Sequence, residues 1–191
     1  MHLLIAVLTK EKVNKIDQVA YEKICANEDT LTGMFYEEFC ANNWKECHEK
    51  HRKLYKENED LRNNIFKDMH SIVDSKIKEK YYNNSKDIDG EDYFYYNTYK
   101  VCGNWTDALD LFGYKTIEEL KESDNIRNEF KQKDNIDSIV RSFAGYIDLD
   151  DVFHSVSKNA LSELNEYDRS VFRKYLEDNS DMYIIPIDIH M

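Results

Sequence analysis

The chain has 191 residues and a formal net charge of −12, with 38 acidic residues against 26 basic ones. A chain of this length buries roughly 70% of the surface that its unfolded form exposes, so one domain over residues 1–191 needs no disulfide or metal for stability. The acidic balance argues against direct binding to a nucleic-acid backbone and favours a basic partner. With a single proline in the whole chain, helices are favoured over turn-rich β architecture.

The predicted elements begin with a strand over residues 2–9, whose apolar run HLLIAVLT is typical of a central strand buried on both faces. A helix is predicted from Asn14. Helical spacing of apolar residues then extends over residues 34–82, with a continuation or a short break at residues 56–64. Aromatic and β-forming residues predict a second strand over residues 92–101.

Four helices are predicted between the second strand and the end of the sequence. A short one begins with Thr106 as its N-cap, and the pattern Thr-x-x-Glu at Thr116 is a capping box that starts a helix reaching about Phe130. Apolar residues at helical spacing predict the other two, over residues 134–145 and 159–179. The last of these directs a set of apolar side chains toward the core: Leu161, Leu164, Val171, Phe172 and Tyr175.

The sequence closes with MYIIPIDIHM at residues 182–191, which alternates as a strand does. Because Pro186 has no N–H for a ladder hydrogen bond, we predict an edge position or a one-sided pairing for this strand. The expected fold class is therefore α+β and helix-rich. A small mixed or antiparallel sheet of N-terminal, central and C-terminal strands is covered by several helices.

Polar residues at the two ends of the sequence form the principal candidate catalytic site. His2 begins the first strand, and Asp188 and His190 lie two residues apart on one face of the last. If these strands are neighbours, two imidazoles and a carboxylate converge, which suits a general acid/base pair or a metal site. The alternative is that the histidines are solvent-exposed and that Asp188 anchors an edge strand.

Two further patterns that resemble metal sites fail on their spacing. Cys40, Cys47 and His51 lie along one helix face, two turns apart, so they cannot all reach one ion, and a core stripe explains them. The stretch at residues 85–96 lacks the acidic groups that a calcium loop needs at its first and last positions. We predict no metal and no cofactor.

The opening MHLLIAVLTK bears on location. It lacks the basic start and cleavage site of a signal peptide, and its apolar run is far shorter than the ~20 residues that span a bilayer. Because disulfide frames belong to secreted proteins, the four cysteines are expected to be reduced thiols. We predict a cytoplasmic protein without membrane contact.

The segment YNTYKVCGNW, residues 96–105, resembles WDWYxIGGRW, a segment of a group of uncharacterised small proteins encoded by phages. Those proteins open with a Ser-His-Phe strand and end with a hydrophobic strand closing in Asp-x-His. This chain is similar at both places, with His2 in the first strand and with Asp188 and His190 in the last.

Within the similar segment, Tyr99, Asn104 and Trp105 are the candidate binding residues. Asn104 stands where the group has an arginine, and Thr98 and Cys102 stand where it has tryptophan and glycine. The segment therefore lacks the side chain that would most directly bind an anion in those proteins.

The resemblance implies a phage or prophage accessory protein that counters a host defence system in the host cytoplasm. In the preferred hypothesis it is not an enzyme, and its acidic surface binds a basic, nucleic-acid-binding surface of a host effector such as a CRISPR nuclease. The alternative is a small protein that processes or sequesters a nucleotide, using His2, Asp188 and His190. A structural or regulatory phage protein is the third possibility, and the oligomeric state is left open.

Overall fold

A computed structural model describes six stretches of the chain: residues 2–14, 44–77, 98–123, 126, 134–156 and 166–190. Contacts between Cα atoms divide the chain into two units, one of residues 1–14 and 69–191 and the other of residues 15–68. All five described strands belong to the first unit. That a single domain covers residues 1–191 stays a prediction.

One mixed sheet contains all five strands, which are β1 (His2–Thr9), β2 (Thr98–Val101), β3 (Gly145–Ile147), β4 (Phe153–Ser155) and β5 (Tyr183–His190). Their spatial order is β2-β5-β1-β3-β4, with β1 parallel to β3 and the other neighbouring pairs antiparallel. The predicted α+β class is confirmed, and β1 is central as predicted. The hairpin of β3 and β4 was not predicted.

Six helices are described: α1 (Trp44–Ile65), α2 (Lys67–Lys76), α3 (Thr106–Phe112), α4 (Ile117–Lys121), α5 (Asn135–Ser142) and α6 (Glu166–Asp178). Of the two alternatives for residues 56–64, the helix continues, since α1 includes all of these residues. The break between α1 and α2 lies at Phe66. The helix predicted from Asn14 and the calcium-like stretch at residues 85–96 lie outside the described residues.

Three predicted helix boundaries are wrong. The helix predicted over residues 134–145 ends at Ser142, and Gly145 already begins β3. Trp105, and not Thr106, is the N-cap of α3, and no side chain caps that end. The capping box is present, with Thr116 accepting from the Glu119 N–H and the Glu119 carboxylate accepting from the Thr116 N–H, but α4 ends at Lys121 and not near Phe130. A good cap therefore starts this helix without setting its length.

The larger hydrophobic core lies between one face of the sheet and helices α3 to α6. Leu4, Ala6 and Leu8 of β1 and Ile184 of β5 contribute from the sheet, where alternate residues point to the same face. The helices contribute a set of buried side chains that includes Phe112, Ile117, Ile139, Phe172 and Leu176. Val171 is 44% exposed, so its predicted core position is wrong. Leu161 and Leu164 lie outside the described residues.

The prediction of an edge position or a one-sided pairing for β5 is also wrong, because this strand lies between β1 and β2 and pairs with both. The Pro186 carbonyl accepts a hydrogen bond of 2.9 Å from the N–H of Cys102, the residue that follows the last residue of β2. A strand residue directs its N–H and its C=O to the same side, so the missing N–H faces the end of β2 and removes no bond to β1. Proline is therefore tolerated inside this sheet.

An ion-pair cluster joins α5 to α6 and makes the stability of the fold depend on pH. Arg173 donates to both carboxylate oxygens of Asp134, at 3.0 and 2.7 Å. Its hydrogen bond is the largest of the effects that lower the pKa of Asp134 from 3.8 to about 2. Asp134 is also the N-cap of α5 and accepts from the Asp137 N–H.

We expect Asp134→Asn to lower the free energy of unfolding by about 1 kcal/mol near neutral pH, a value reduced for screening because Asp134 is 45% exposed. Because the pKa of Asp134 is lower in the folded protein, its ionised form stabilises the fold at pH values above the unfolded-state pKa of 3.8. This stabilisation is lost as the pH falls from 3.8 to the folded-state pKa of about 2. Urea unfolding of both proteins should show the difference vanish near the lower limit. Because Asn caps helices as well as Asp does, a difference that persists in acid would contradict an ionic origin.

Candidate functional site

The pairing of β1 with β5 brings the two ends of the sequence together. His2 lies opposite His190, and Leu4 lies opposite Asp188. Since alternate residues share a face, His2, Asp188 and His190 leave the sheet on the same side. The two imidazole centroids are 4.9 Å apart and the rings are inclined by 56°. The neighbouring strands on which the predicted convergence depended are therefore present, and we call these three residues the histidine site.

Asp188 lies at the base of the histidine site, and its side chain is only 5% exposed. Its Oδ2 accepts a hydrogen bond of 3.0 Å from the backbone N–H of Asn104. Both oxygens also lie within hydrogen-bond distance of His2 Nδ1, at 3.1 and 3.0 Å. A buried carboxylate needs such partners, so Asp188 is a fixed acceptor, and because β5 is an inner strand it does not anchor an edge strand.

The contact with Asp188 sets the chemical state of the His2 ring. An ionised carboxylate only accepts hydrogen bonds, so the neutral imidazole carries its proton on Nδ1 and leaves the lone pair on Nε2. The His2 side chain is 48% exposed, which leaves room for a ligand at the ring. An imidazole oriented in this way by a carboxylate is suited to accept a proton from a bound molecule.

The turn that follows β2 packs directly on Asp188. Cys102 and Gly103 both have left-handed backbone conformations, with φ of 58° and 48°. A Cβ atom on Gly103 would overlap Cβ and Oδ2 of Asp188 and lie 2.7 Å from its Cγ. Only glycine therefore allows the Asn104 N–H to reach the carboxylate. A non-glycine residue such as Cys102 with positive φ is uncommon, and such strain concentrates at functional sites.

The three candidate binding residues of the similar segment are not all at the histidine site. Asn104 is exposed and contributes its backbone N–H, while the neighbouring Trp105 has a 43% exposed side chain. Tyr99 pairs with Ile189 and so faces the opposite side of the sheet, where its ring lies 6.2 Å from His70. Burial is the main cause that lowers the pKa of His70. Tyr99 is therefore separated from the histidines by the sheet.

Lys100 was not predicted as a site residue, although its place in β2 puts it on the face of the histidine site. It lies opposite Asp188 in the pairing of β2 with β5, and cross-strand partners direct their side chains to the same face. Its charge also acts on His70, whose pKa it lowers. Strand alternation in the similar segment was the signal that would have identified it.

A second contact between histidine and aspartate lies in the β3–β4 hairpin and serves as an internal comparison. His154 Nε2 is 2.7 Å from Oδ2 of Asp148, and the other carboxylate oxygen accepts the N–H groups of Asp150 and Val152, each at 2.9 Å. The His154 ring stacks on Tyr146, with centroids 4.7 Å apart. Asp148 thereby closes the hairpin turn, which is a structural role.

Among the side chains that the structure describes, no three of His, Cys, Asp and Glu are grouped so that they could hold a metal ion. The side chains of Cys40, Cys47 and His51, which were considered as zinc ligands, are not among them. No helix within the described ranges is both long and apolar enough to cross a membrane.

No protein-family model, curated protein or solved structure matches this chain. The structure defines an α+β protein with a five-stranded mixed sheet and a histidine site at one end of one sheet face. Hypotheses about its function rest on that geometry and on the charge of the chain.

Proposed function

We propose that the protein binds and processes a small nucleotide at the histidine site. The observation that carries this proposal is the buried Asp188, which orients His2 beside a second imidazole, His190. An oriented imidazole paired with another is the usual equipment for moving protons to and from a bound molecule. The proposal is the enzyme alternative of the sequence analysis, and the convergence of the strands is what favours it.

The charge around the histidine site supports a phosphate-bearing ligand. Both oxygens of Asp188 already face hydrogen-bond donors, while His190, when protonated, presents an N–H to a ligand, and Lys100 is the cross-strand neighbour of Asp188 on the same face of the sheet. Asn104 stands where the similar proteins have an arginine. An anion at this site would therefore be bound by these groups and not by the side chain of Asn104.

An aromatic base is supported by Trp105, the residue next to Asn104. Its side chain is 43% exposed although tryptophan is usually well buried. Stacking of a base on an exposed aromatic ring contributes about 1–3 kcal/mol to binding and is tolerant of base identity. A nucleotide therefore fits the combination of anion-attracting groups and an exposed indole.

The proposal is tested by titrating adenine and guanine mono- and dinucleotides into the protein while the imidazole signals are followed by NMR. We expect the His2 and His190 signals to shift with a saturable dependence on ligand and those of His154 to stay constant. Replacing either site histidine by Gln, or Trp105 by Ala, should weaken binding about tenfold or more. His154→Gln and Tyr167→Ala, at a hairpin histidine and a largely exposed aromatic, are the matched controls. Unshifted site histidines at millimolar nucleotide would refute the proposal.

A second candidate function is favoured by the net charge of −12 and by exposed carboxylates such as Asp110, Glu122 and Asp178. In this proposal the protein is a phage or prophage factor whose acidic surface binds the nucleic-acid-binding surface of a host defence nuclease. Complementary charge speeds such association and screening by salt weakens it. The expected result is inhibition of a purified CRISPR nuclease that fades as salt rises. Inhibition lost in His2→Gln but insensitive to salt would instead favour the histidine site.

A further inference from the structure

We propose that the histidine site cleaves a ribonucleotide phosphodiester by transferring the phosphoryl group to the adjacent 2′-hydroxyl. This inference rests on the proposed binding of a nucleotide and goes beyond it by naming the reaction and the substrate class. It starts from the two imidazoles, which lie 4.9 Å apart on one face of the sheet; among the residues that the structure describes, a carboxylate contacts His2 and none contacts His190.

The two histidines differ in their surroundings, and this difference assigns their roles. His2 donates through Nδ1 to Asp188, so its Nε2 is the proton acceptor. Within the described part of the chain, His190 makes no hydrogen bond to a carboxylate, and its ring contact is with His2. When protonated, it has an N–H to give to a substrate oxygen. His2 is therefore the general base and His190 the general acid.

The reaction needs only those two proton transfers. His2 Nε2 takes the proton of the 2′-hydroxyl as the 2′-oxygen forms its bond to phosphorus. The bond from phosphorus to the 5′-oxygen breaks, and His190 gives that oxygen its proton. The products are a 2′,3′-cyclic phosphate and a free 5′-hydroxyl, with no change of oxidation state and no water consumed.

The charge of the protein limits the length of the substrate. A chain of net charge −12 repels a long polyanion, and each further phosphate adds to that repulsion. Electrostatic attraction to many phosphates is what makes nucleic-acid binding strong in ordinary ribonucleic-acid-binding proteins. We infer that the substrate is a short ribo-oligonucleotide of two or three nucleotides, linear or cyclic.

The test compares the ribodinucleotide ApA with its 2′-deoxy analogue in excess EDTA, with products separated by chromatography. Wild type should convert ApA to adenosine 2′,3′-cyclic phosphate and adenosine, and bind the deoxy analogue without cleaving it. His2→Gln and His190→Gln should each lower the rate by about 100-fold or more. His154→Gln, purified identically, should keep the wild-type rate.

The outcomes separate the two proposals. Saturable binding of ApA at the site histidines without cleavage overturns this inference and leaves the proposed nucleotide binding intact. Cleavage of the deoxy analogue at the same rate, or activity abolished by EDTA, overturns the role of the 2′-hydroxyl or the metal-free reaction. An equal rate in His2→Gln and wild type identifies a contaminating nuclease and overturns the assignment. Absence of binding refutes both proposals together.

Discussion

Replacing Gly103 by Ala should lower the free energy of unfolding by about 3 kcal/mol and disorganise the histidine site. The left-handed backbone at this residue alone costs a side chain about 1 kcal/mol. The new Cβ would also overlap the Asp188 side chain, so the carboxylate must move from Asn104 and His2. Leaving a buried carboxylate partly unpaired adds about 1–3 kcal/mol.

Urea unfolding measures the loss for Gly103→Ala, and the His2 imidazole signal shows whether the contact with Asp188 survives. The matched control is Asn104→Ala in the same turn. Its side chain is exposed and its backbone N–H is retained, so we expect a change within about 0.5 kcal/mol. If both variants were equally stable, the turn would not be held against Asp188 as described.

The histidine site shows what sequence periodicity can and cannot establish. Alternation in IPIDIHM places Asp188 and His190 on one face of a strand from the sequence alone. That His2 joins them depends on pairing the first and last strands, which brings together His2 and Asp188 from positions 186 residues apart, a register that no local pattern encodes. The hydrogen bond from Asn104 to Asp188 could not be predicted from the sequence for a further reason. Its donor is the backbone N–H, so it requires no particular side chain.

The errors in the predicted fold have equally specific causes. An edge position or a one-sided pairing was predicted for β5 because Pro186 lacks an N–H, but the missing N–H faces only the end of β2 and leaves the pairing with β1 complete. The hairpin of β3 and β4 was missed because strands of three residues are too short to show a period. The helix that begins after Thr116 was predicted to be too long because a capping box identifies the first residue of a helix and carries no information on its last residue.

Asp188→Asn should prevent His2 from acting as the proposed general base while keeping the shape of the histidine site. The amide oxygen of Asn can accept from the Asn104 N–H, and its NH₂ group then faces His2 Nδ1 as a donor. The neutral His2 imidazole then carries its proton on Nε2 and accepts from the amide through Nδ1. Its Nε2 therefore has no lone pair to accept the proton of the 2′-hydroxyl. We expect cleavage of ApA to fall by about 100-fold or more, with ApA still bound.

The change of tautomer is measurable without any ligand, which separates the geometry from the proposed chemistry. Nitrogen NMR of the imidazoles should show the protonated nitrogen of His2 change from Nδ1 to Nε2 in Asp188→Asn, while that of His154 is unchanged. His154, in the edge strand β4, keeps its own partner, Asp148, and is therefore an internal control. An unchanged His2 signal would contradict the contact with Asp188 itself. A changed tautomer with undiminished cleavage would retain that contact but remove His2 as the base.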